Sequence, residues 1–117
     1  MAPHGFRLFG RRRLVAPPLM WSETLAVLHE RMWRGEIGSD DARAGAAQLA
    51  SCPVRNEAPD ALGETAWEIA GELGWAKTYD AEYLALARLF GAQVITLDRR
   101  LRREAERTGL VITPGEM

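Results

Sequence analysis

The sequence predicts an α/β protein in which parallel strands pack between helices. Four segments between Ala16 and Gly91 repeat their apolar residues at helical spacing. The pattern then changes at residues 92–97, AQVITL, into a run of β-favouring residues, and residues 110–113, LVIT, repeat that run after a short charged helix. Strand, helix and strand in this order predict a parallel pair joined by a crossover helix, and buried parallel strands indicate an α/β sandwich.

The first predicted helix covers residues 16–36. Pro17 and Pro18 suit its first turn, because a residue there needs no backbone donor, and Gly35 is suited to end it. The second covers residues 39–52 and opens on Ser39 as an N-cap, followed by two aspartates. Those aspartates are better explained by the positive end of the helix dipole than by a role as ligands.

Residues 53–57, PVRNE, are predicted as a short strand or an extended link. A third helix is expected over residues 59–74 and a fourth over residues 79–91, each closed by its final glycine, and Thr78 is expected to cap the fourth. Residues 99–109 are expected to form the short charged helix of the strand–helix–strand unit.

Length and composition indicate one globular domain. The chain has 117 residues, of which 47% are hydrophobic and 26% charged, so we expect a single domain over residues 1–117, with residues 1–13 irregular or atypical. No apolar run approaches the ~18 residues of a membrane span, so no membrane association is expected. The single cysteine, Cys52, excludes an internal disulfide and fits the reducing cytoplasm.

Charge is unevenly distributed along the chain. Residues 1–22 hold four arginines and no acidic residue, residues 23–82 hold twelve acidic against five basic residues, and the remainder holds six arginines against four acidic residues. An acidic middle between basic ends is compatible with a metal site flanked by phosphate-binding arginines. The alternative is a mixed solvated surface, and charge alone favours that alternative.

Three carboxylates stand at places where a parallel sheet presents ligands. Asp98 directly follows a predicted strand, Asp80 lies in the first turn of its helix, and Glu23 lies early in the first helix. Oxygen ligands of this kind hold Mg²⁺ or Mn²⁺, which activates water and stabilises charge on a phosphodiester. Each residue also has a structural alternative: Glu23 and Asp80 complement a helix dipole, and Asp98 caps a helix. The sequence places little near Asp80 that would neutralise it.

Arginines follow the last of these carboxylates. Arg99 and Arg100 come directly after Asp98 and are candidates for binding RNA phosphates. Arg102 and Arg103 are more simply explained as a solvated helix face.

The stretches VAPPLMWSE, TYDAEYLALARLFGAQVITLDRRL and GLVIT, in this order and spacing, resemble a PIN domain of the VapC toxin type over residues 14–113. The resemblance implies a three-layer α/β/α sandwich with a parallel sheet and an Mg²⁺- or Mn²⁺-dependent endoribonuclease. It also implies a homodimer that a small antitoxin protein neutralises. By position, Glu23, Asp80 and Asp98 match the acidic cluster of the family as catalytic and metal-binding residues, and Thr78 and Thr96 match polar residues that support it.

The chain departs from that family at its start. Such domains begin with a strand that ends in an aspartate, whereas no residue from Met1 to Ser22 is acidic. We therefore expect an N-terminally truncated member with weakened activity, in which residues 5–9, GFRLF, fill a gap in the same or a partner subunit. The alternative function is a catalytically inactive remnant that binds protein or RNA.

Overall fold

Four short strands alternate with five α-helices in residues 13–116, which are the residues that the computed structural model of the chain describes. The strands are β1 (Leu14–Ala16), β2 (Val54–Asn56), β3 (Val94–Ile95) and β4 (Val111–Ile112). The helices are α1 (Leu19–Trp33), α2 (Ser39–Ala50), α3 (Leu62–Leu73), α4 (Tyr79–Phe90) and α5 (Arg99–Glu104).

The strands form two parallel pairs. β1 pairs with β2, with Val15 opposite Arg55, and β3 pairs with β4, with Val94 opposite Val111. Within each pair, helices lie between the two strands along the chain, as a parallel connection requires. The predicted α/β class with parallel strands is confirmed, and so is the predicted parallel pairing of the two strands that flank α5.

Strand β1 corrects the prediction that residues 16–36 form one helix. Leu14–Ala16 is a strand, and α1 begins only at Leu19. The ring of a proline disfavours helical geometry in the residue before it, so Pro17 restricts Ala16 to an extended backbone. Pairing with β2 then satisfies that backbone: the carbonyl of Ala16 accepts a hydrogen bond from the Glu57 amide at 3.0 Å.

Helices α2, α3 and α4 keep close to their predicted ends, whereas α5 ends at Glu104, well before the predicted residue 109, and a separate 3-10 turn follows at Glu106–Thr108. Gly74 and Gly91 follow α3 and α4 in the left-handed conformation, at φ of 71° and 63°, where a side chain would be strained. Ser39 is the first residue of α2 rather than its cap, which is Gly38. Residues 53–57 were predicted as either a short strand or an extended link, and Val54–Asn56 within them form a strand.

Two hydrophobic clusters lie beside the strand pairs. The larger one packs α3 against α4, with Ile69 and Leu84 fully buried, and Val15 of β1 and Val94 of β3 pack against it. The smaller one joins β1, α1, α2 and β2 through four buried residues, Ala16, Met20, Leu49 and Val54. Strand β1 therefore contacts both clusters, one from each face.

Strand β3 is shorter and more exposed than predicted. Residues 92–97 were expected to form a buried strand, but only Val94 and Ile95 pair, and both are half-buried. Within residues 13–116, β3 has one neighbouring strand, and its two residues line a cavity. No helix in this part of the chain is long and apolar enough to cross a membrane. The predictions for residues 1–12 lie outside the described residues.

A charged pair near the C-terminal end should make stability depend on pH. The carboxylate of Glu116 accepts from Arg102 Nε at 2.9 Å and Nη2 at 3.0 Å, and also from the Thr113 amide at 3.0 Å. These bonds, the arginine first, lower the pKa of Glu116 to about 2. A lowered pKa means that the contribution to stability is present above the unfolded value of 4.5 and is lost as pH falls through about 2.

We therefore expect Glu116→Gln to lower the Tm at pH 7, with the difference from the parent shrinking between pH 4.5 and 2. Thermal melts at a series of pH values measure this. Glu106→Gln is the matched control, because Glu106 lies 3.9 Å from the same arginine and is largely exposed. Identical pH dependence in Glu116→Gln and in the parent would contradict the assignment.

Candidate active site

A cavity of about 410 Å³ lies between β1 and β3. Residues of both strands line it, together with side chains of α1 and α4, among them Val27, Leu86 and Ala87. Glu23, Asp80 and Asp98, the three carboxylates singled out from the sequence, all line this one cavity, as does Thr96. The fold therefore brings three widely separated acidic residues to a common space.

Glu23 is held by a tyrosine that the sequence reading did not single out. The Tyr83 hydroxyl donates to Glu23 Oε1 at 2.8 Å. Burial raises the pKa of Tyr83, and the hydrogen bond to Glu23 raises it further, so the phenol keeps its proton and remains a donor. A sequence signal existed, because Tyr83 lies three residues after Asp80 and therefore on the same face of α4.

Asp80 is the second residue of α4, and its side chain is about half exposed. Thr78, which was expected to support it, precedes the helix without a side-chain capping bond and is not among the residues that line the cavity. The backbone carbonyl of Thr78 accepts a hydrogen bond from the Glu82 amide at 3.1 Å, within the first turn of α4. The structure therefore does not bring the Thr78 hydroxyl to the carboxylates.

Asp98 combines a capping role with a place in the cavity. Its Oδ1 accepts from the amides of Arg100 at 2.9 Å and Leu101 at 3.2 Å, which caps α5. Its own amide donates to Thr96 Oγ1 at 3.0 Å. The structural alternative raised for Asp98 is therefore correct, but the capping bonds use only Oδ1.

Arg100 lies between two of the carboxylates. Its Nη2 is 3.8 Å from Asp80 Oδ2 and 3.9 Å from Asp98 Oδ2, while its Nη1 is 3.2 Å from Glu104. The sequence places little near Asp80 that would neutralise it, but the fold brings Arg100, twenty residues later in the chain, close to its carboxylate. The Arg100 side chain is 60% exposed, so water screens these contacts and each is weak.

Glu82 lies close enough to Glu23 for the two carboxylates to repel each other. Burial raises the pKa of Glu82, and the charge of Glu23 raises it further. Glu82 was not singled out from the sequence. A cation near Glu23 would relieve this repulsion. The donor set around the cavity, three carboxylates and a threonine hydroxyl, has the oxygen chemistry that Mg²⁺ and Mn²⁺ bind.

The carboxylates are not assembled as a ready-made metal site. In residues 13–116, no three acidic, histidine or cysteine side chains lie close enough together to hold an ion. The guanidinium of Arg100 lies near both Asp80 and Asp98. An ion bound by these two carboxylates would therefore compete with the Arg100 side chain, which is exposed and has room to move.

The strands, helices and acidic cavity together define an α/β domain with a carboxylate-lined site beside its parallel strands. The chain belongs to the PIN-domain family, whose model matches residues 6–106. It is 32% identical over 95 residues to the VapC ribonuclease Mb0985 of Mycobacterium bovis, an alignment that covers 81% of this chain and 72% of the relative. The same values hold for Ribonuclease VapC9 of Mycobacterium tuberculosis.

These comparisons confirm the VapC-type PIN assignment and, with it, the α/β/α fold class. The expectation about a missing first strand concerns residues outside 13–116 and stays a prediction. The roles assigned to Glu23, Asp80, Asp98, Thr78, Thr96, Arg99 and Arg100 also stay predictions.

Proposed function

We propose that this protein is a divalent-metal-dependent endoribonuclease of the toxin–antitoxin type that cleaves RNA phosphodiester bonds. The observation that carries the proposal is the convergence of Glu23, Asp80 and Asp98 on one cavity. The similarity to proteins named VapC ribonucleases supports the choice of substrate.

In this proposal Glu23, Asp80 and Asp98 hold Mg²⁺ or Mn²⁺. The bound ion would supply a water of lowered pKa and neutralise charge on the phosphate. Tyr83 fixes Glu23 through its hydrogen bond, and Thr96 together with the capping amides fixes Asp98. Residues held in this way lose little freedom when a ligand arrives, which favours binding.

Arg100 has two roles in turn. Without a cation it balances the charges of Asp80 and Asp98. Once those carboxylates are neutralised, the guanidinium is free to donate to a phosphate oxygen, for which its planar fork is well suited. Arg99, the neighbouring residue at the start of α5, is the second candidate for contact with the RNA backbone.

The alternative function is an inactive PIN-like module that binds protein or RNA. It is favoured by the position of Arg100 between Asp80 and Asp98, because a guanidinium can replace a cation structurally without providing chemistry. The absence of acidic residues from residues 1–22 also favours an inactive module. We therefore expect weak metal binding and low or absent cleavage that appears first with Mn²⁺, which tolerates imperfect geometry better than Mg²⁺ does.

A small antitoxin protein, a second copy of the chain and a cytoplasmic location complete the proposal. Several large apolar side chains are exposed and would suit partner surfaces, the most exposed being Trp33 and Trp67 at 81% and 76%. Exposed aromatic residues of this kind are enriched at protein interfaces.

Titration with Mn²⁺ and Mg²⁺ tests the proposed function. At ten times the Kd, a bound ion stabilises the folded chain by about 1.4 kcal/mol, which corresponds to a rise in Tm of roughly 4–8 °C for a small domain. We expect such a shift with millimolar Mn²⁺, a smaller one with Mg²⁺, and slow cleavage of single-stranded RNA with Mn²⁺. No shift and no cleavage would favour the inactive module, and robust Mg²⁺-dependent cleavage would contradict the expected weakness.

A further inference from the structure

A series of polar contacts leads from the side chain of Trp75 to the acidic residues of the cavity. The indole Nε1 of Trp75 donates to Glu104 Oε1 at 3.0 Å, and Glu104 Oε2 accepts from Arg100 Nη1 at 3.2 Å. The other terminal nitrogen of Arg100, Nη2, lies 3.8 Å from Asp80 Oδ2 and 3.9 Å from Asp98 Oδ2. Trp75 and Glu104 do not line the cavity, so their hydrogen-bonded route to it passes through the arginine.

We propose that Trp75 and Glu104 are positioning residues that hold the guanidinium of Arg100 at the cavity. Held there, the guanidinium competes with a divalent cation for the carboxylates of Asp80 and Asp98. The proposal rests on the proposed function, because it names what regulates cation binding at that same site. The affinity of the site is then set in part by two residues that do not line it.

Trp75 is held by its backbone and by its ring. Its amide donates to the Ala70 carbonyl at 2.8 Å, directly after Gly74 ends α3. Its ring packs against the larger hydrophobic cluster, in which α3 meets α4. A side chain held at both places presents its N–H group in one direction, so the donor that Glu104 meets has a fixed position.

Helix α5 rests on the same hydrophobic cluster as Trp75. Leu101 packs against that cluster, and Ala105 is fully buried in it. These two residues are the chain neighbours of Arg100 and Glu104, so the backbone that carries the ion pair is anchored. An exposed ion pair contributes little when two long side chains must be ordered for it alone, but a network of several charges contributes more. Because Nη1 is already anchored, placing Nη2 at the aspartates costs less side-chain entropy.

The geometry determines the direction of the effect. Glu104 uses Nη1 of the arginine, whereas Asp80 and Asp98 lie near Nη2, so the glutamate does not draw the guanidinium away from the aspartates. Loss of the Glu104 charge should therefore loosen the arginine and raise the affinity for a cation. Charge alone predicts the opposite, because a carboxylate near a cation site attracts the cation. The sign of the change thus separates positioning from simple electrostatics.

Titration of the full chain with Mn²⁺, followed by the electron paramagnetic resonance signal of the free ion, measures this affinity. We expect the Kd to fall roughly two- to fivefold in Glu104→Gln and in Trp75→Phe, the range that one exposed ion pair supports. Arg100→Gln should lower the Kd at least as much. In the double variant Glu104→Gln with Arg100→Gln, the glutamate substitution should add no further tightening, because the arginine through which it acts is gone.

Two matched variants serve as controls. Glu106→Gln removes a carboxylate that lies 3.9 Å from a different arginine, Arg102. Trp67→Phe changes a tryptophan of α3 that is 76% exposed. Neither should tighten the binding of Mn²⁺.

The possible failures of the titration are distinguishable. Unchanged or weaker binding in Glu104→Gln, with a parent that does bind Mn²⁺, would overturn the positioning proposal and leave the proposed function standing. No Mn²⁺ binding in any variant, Arg100→Gln included, would overturn the metal site of the proposed function and the competition with it.

A measurement without metal tests the positioning by itself. In isotope-labelled protein, nuclear magnetic resonance relaxation of the Arg100 Nε–H group reports how mobile that side chain is. We expect greater mobility in Glu104→Gln and in Trp75→Phe than in the parent, and parent-like mobility in Glu106→Gln. Phenylalanine keeps an aromatic ring on the cluster and removes only the indole donor. Equal mobility of Arg100 in the parent and in Glu104→Gln would overturn the proposal.

Discussion

Asp98→Asn and Asp80→Asn should each remove the Mn²⁺-dependent cleavage of RNA, with a loss of about 100-fold or more. Changing even outer partners of a metal site costs 10–100-fold in metal affinity or activity, so loss of a charged ligand should cost at least that. The fold should survive, because asparagine also caps helices and would keep the bonds from Asp98 to the Arg100 and Leu101 amides.

The measurement is cleavage of a labelled single-stranded RNA under single-turnover conditions, with circular dichroism to verify folding. Glu64→Gln is the matched control, since it removes an exposed acidic residue of α3 that does not line the cavity. Cleavage that persists in both aspartate variants would place the chemistry elsewhere in the protein.

Leu84→Ala should destabilise the domain by about 3–4 kcal/mol, a large part of the 5–15 kcal/mol typical of a whole domain. Leu84 is fully buried where α4 packs on α3, and truncation would leave a cavity among side chains that cannot all close around it. Because α4 carries both Asp80 and Tyr83, the change should also weaken the binding of Mn²⁺.

Urea or thermal unfolding measures this effect. Leu89→Ala is the control, as the same substitution in the same helix at a residue that is 39% exposed. It should cost less than about 1 kcal/mol, since little packing is lost there. Equal costs at the two positions would mean that α4 does not pack in the way described.

Local signals in the sequence were sufficient to predict much of this fold. The apolar spacing of α3 and α4 and the glycines that close them were visible in the sequence, because helix periodicity and left-handed caps depend on neighbouring residues. The strand–helix–strand unit at the C-terminal end was visible for the same reason. The three carboxylates that line the cavity were also singled out from the sequence, by their places near the ends of elements and by the family resemblance.

Other features depended on distant residues and could not be predicted. β1 exists as a strand because β2, some forty residues later, pairs with it, and a three-residue segment has no stable local structure of its own. The bond from Tyr83 to Glu23 spans 60 residues. Arg100 reaches Asp80 from another helix, and no sequence pattern relates the two.

The sequence by itself therefore determined the helices of the α3–α4 core, the C-terminal parallel pair and the identity of the acidic residues, because these follow from local periodicity and capping. Only the tertiary structure decided that those residues share one cavity, that Arg100 balances two of them, and that residues of β1 and β3 line the same cavity. Contacts of this kind form when separate elements pack together, and their geometry is set by the packing of whole helices and strands rather than by any short stretch of chain.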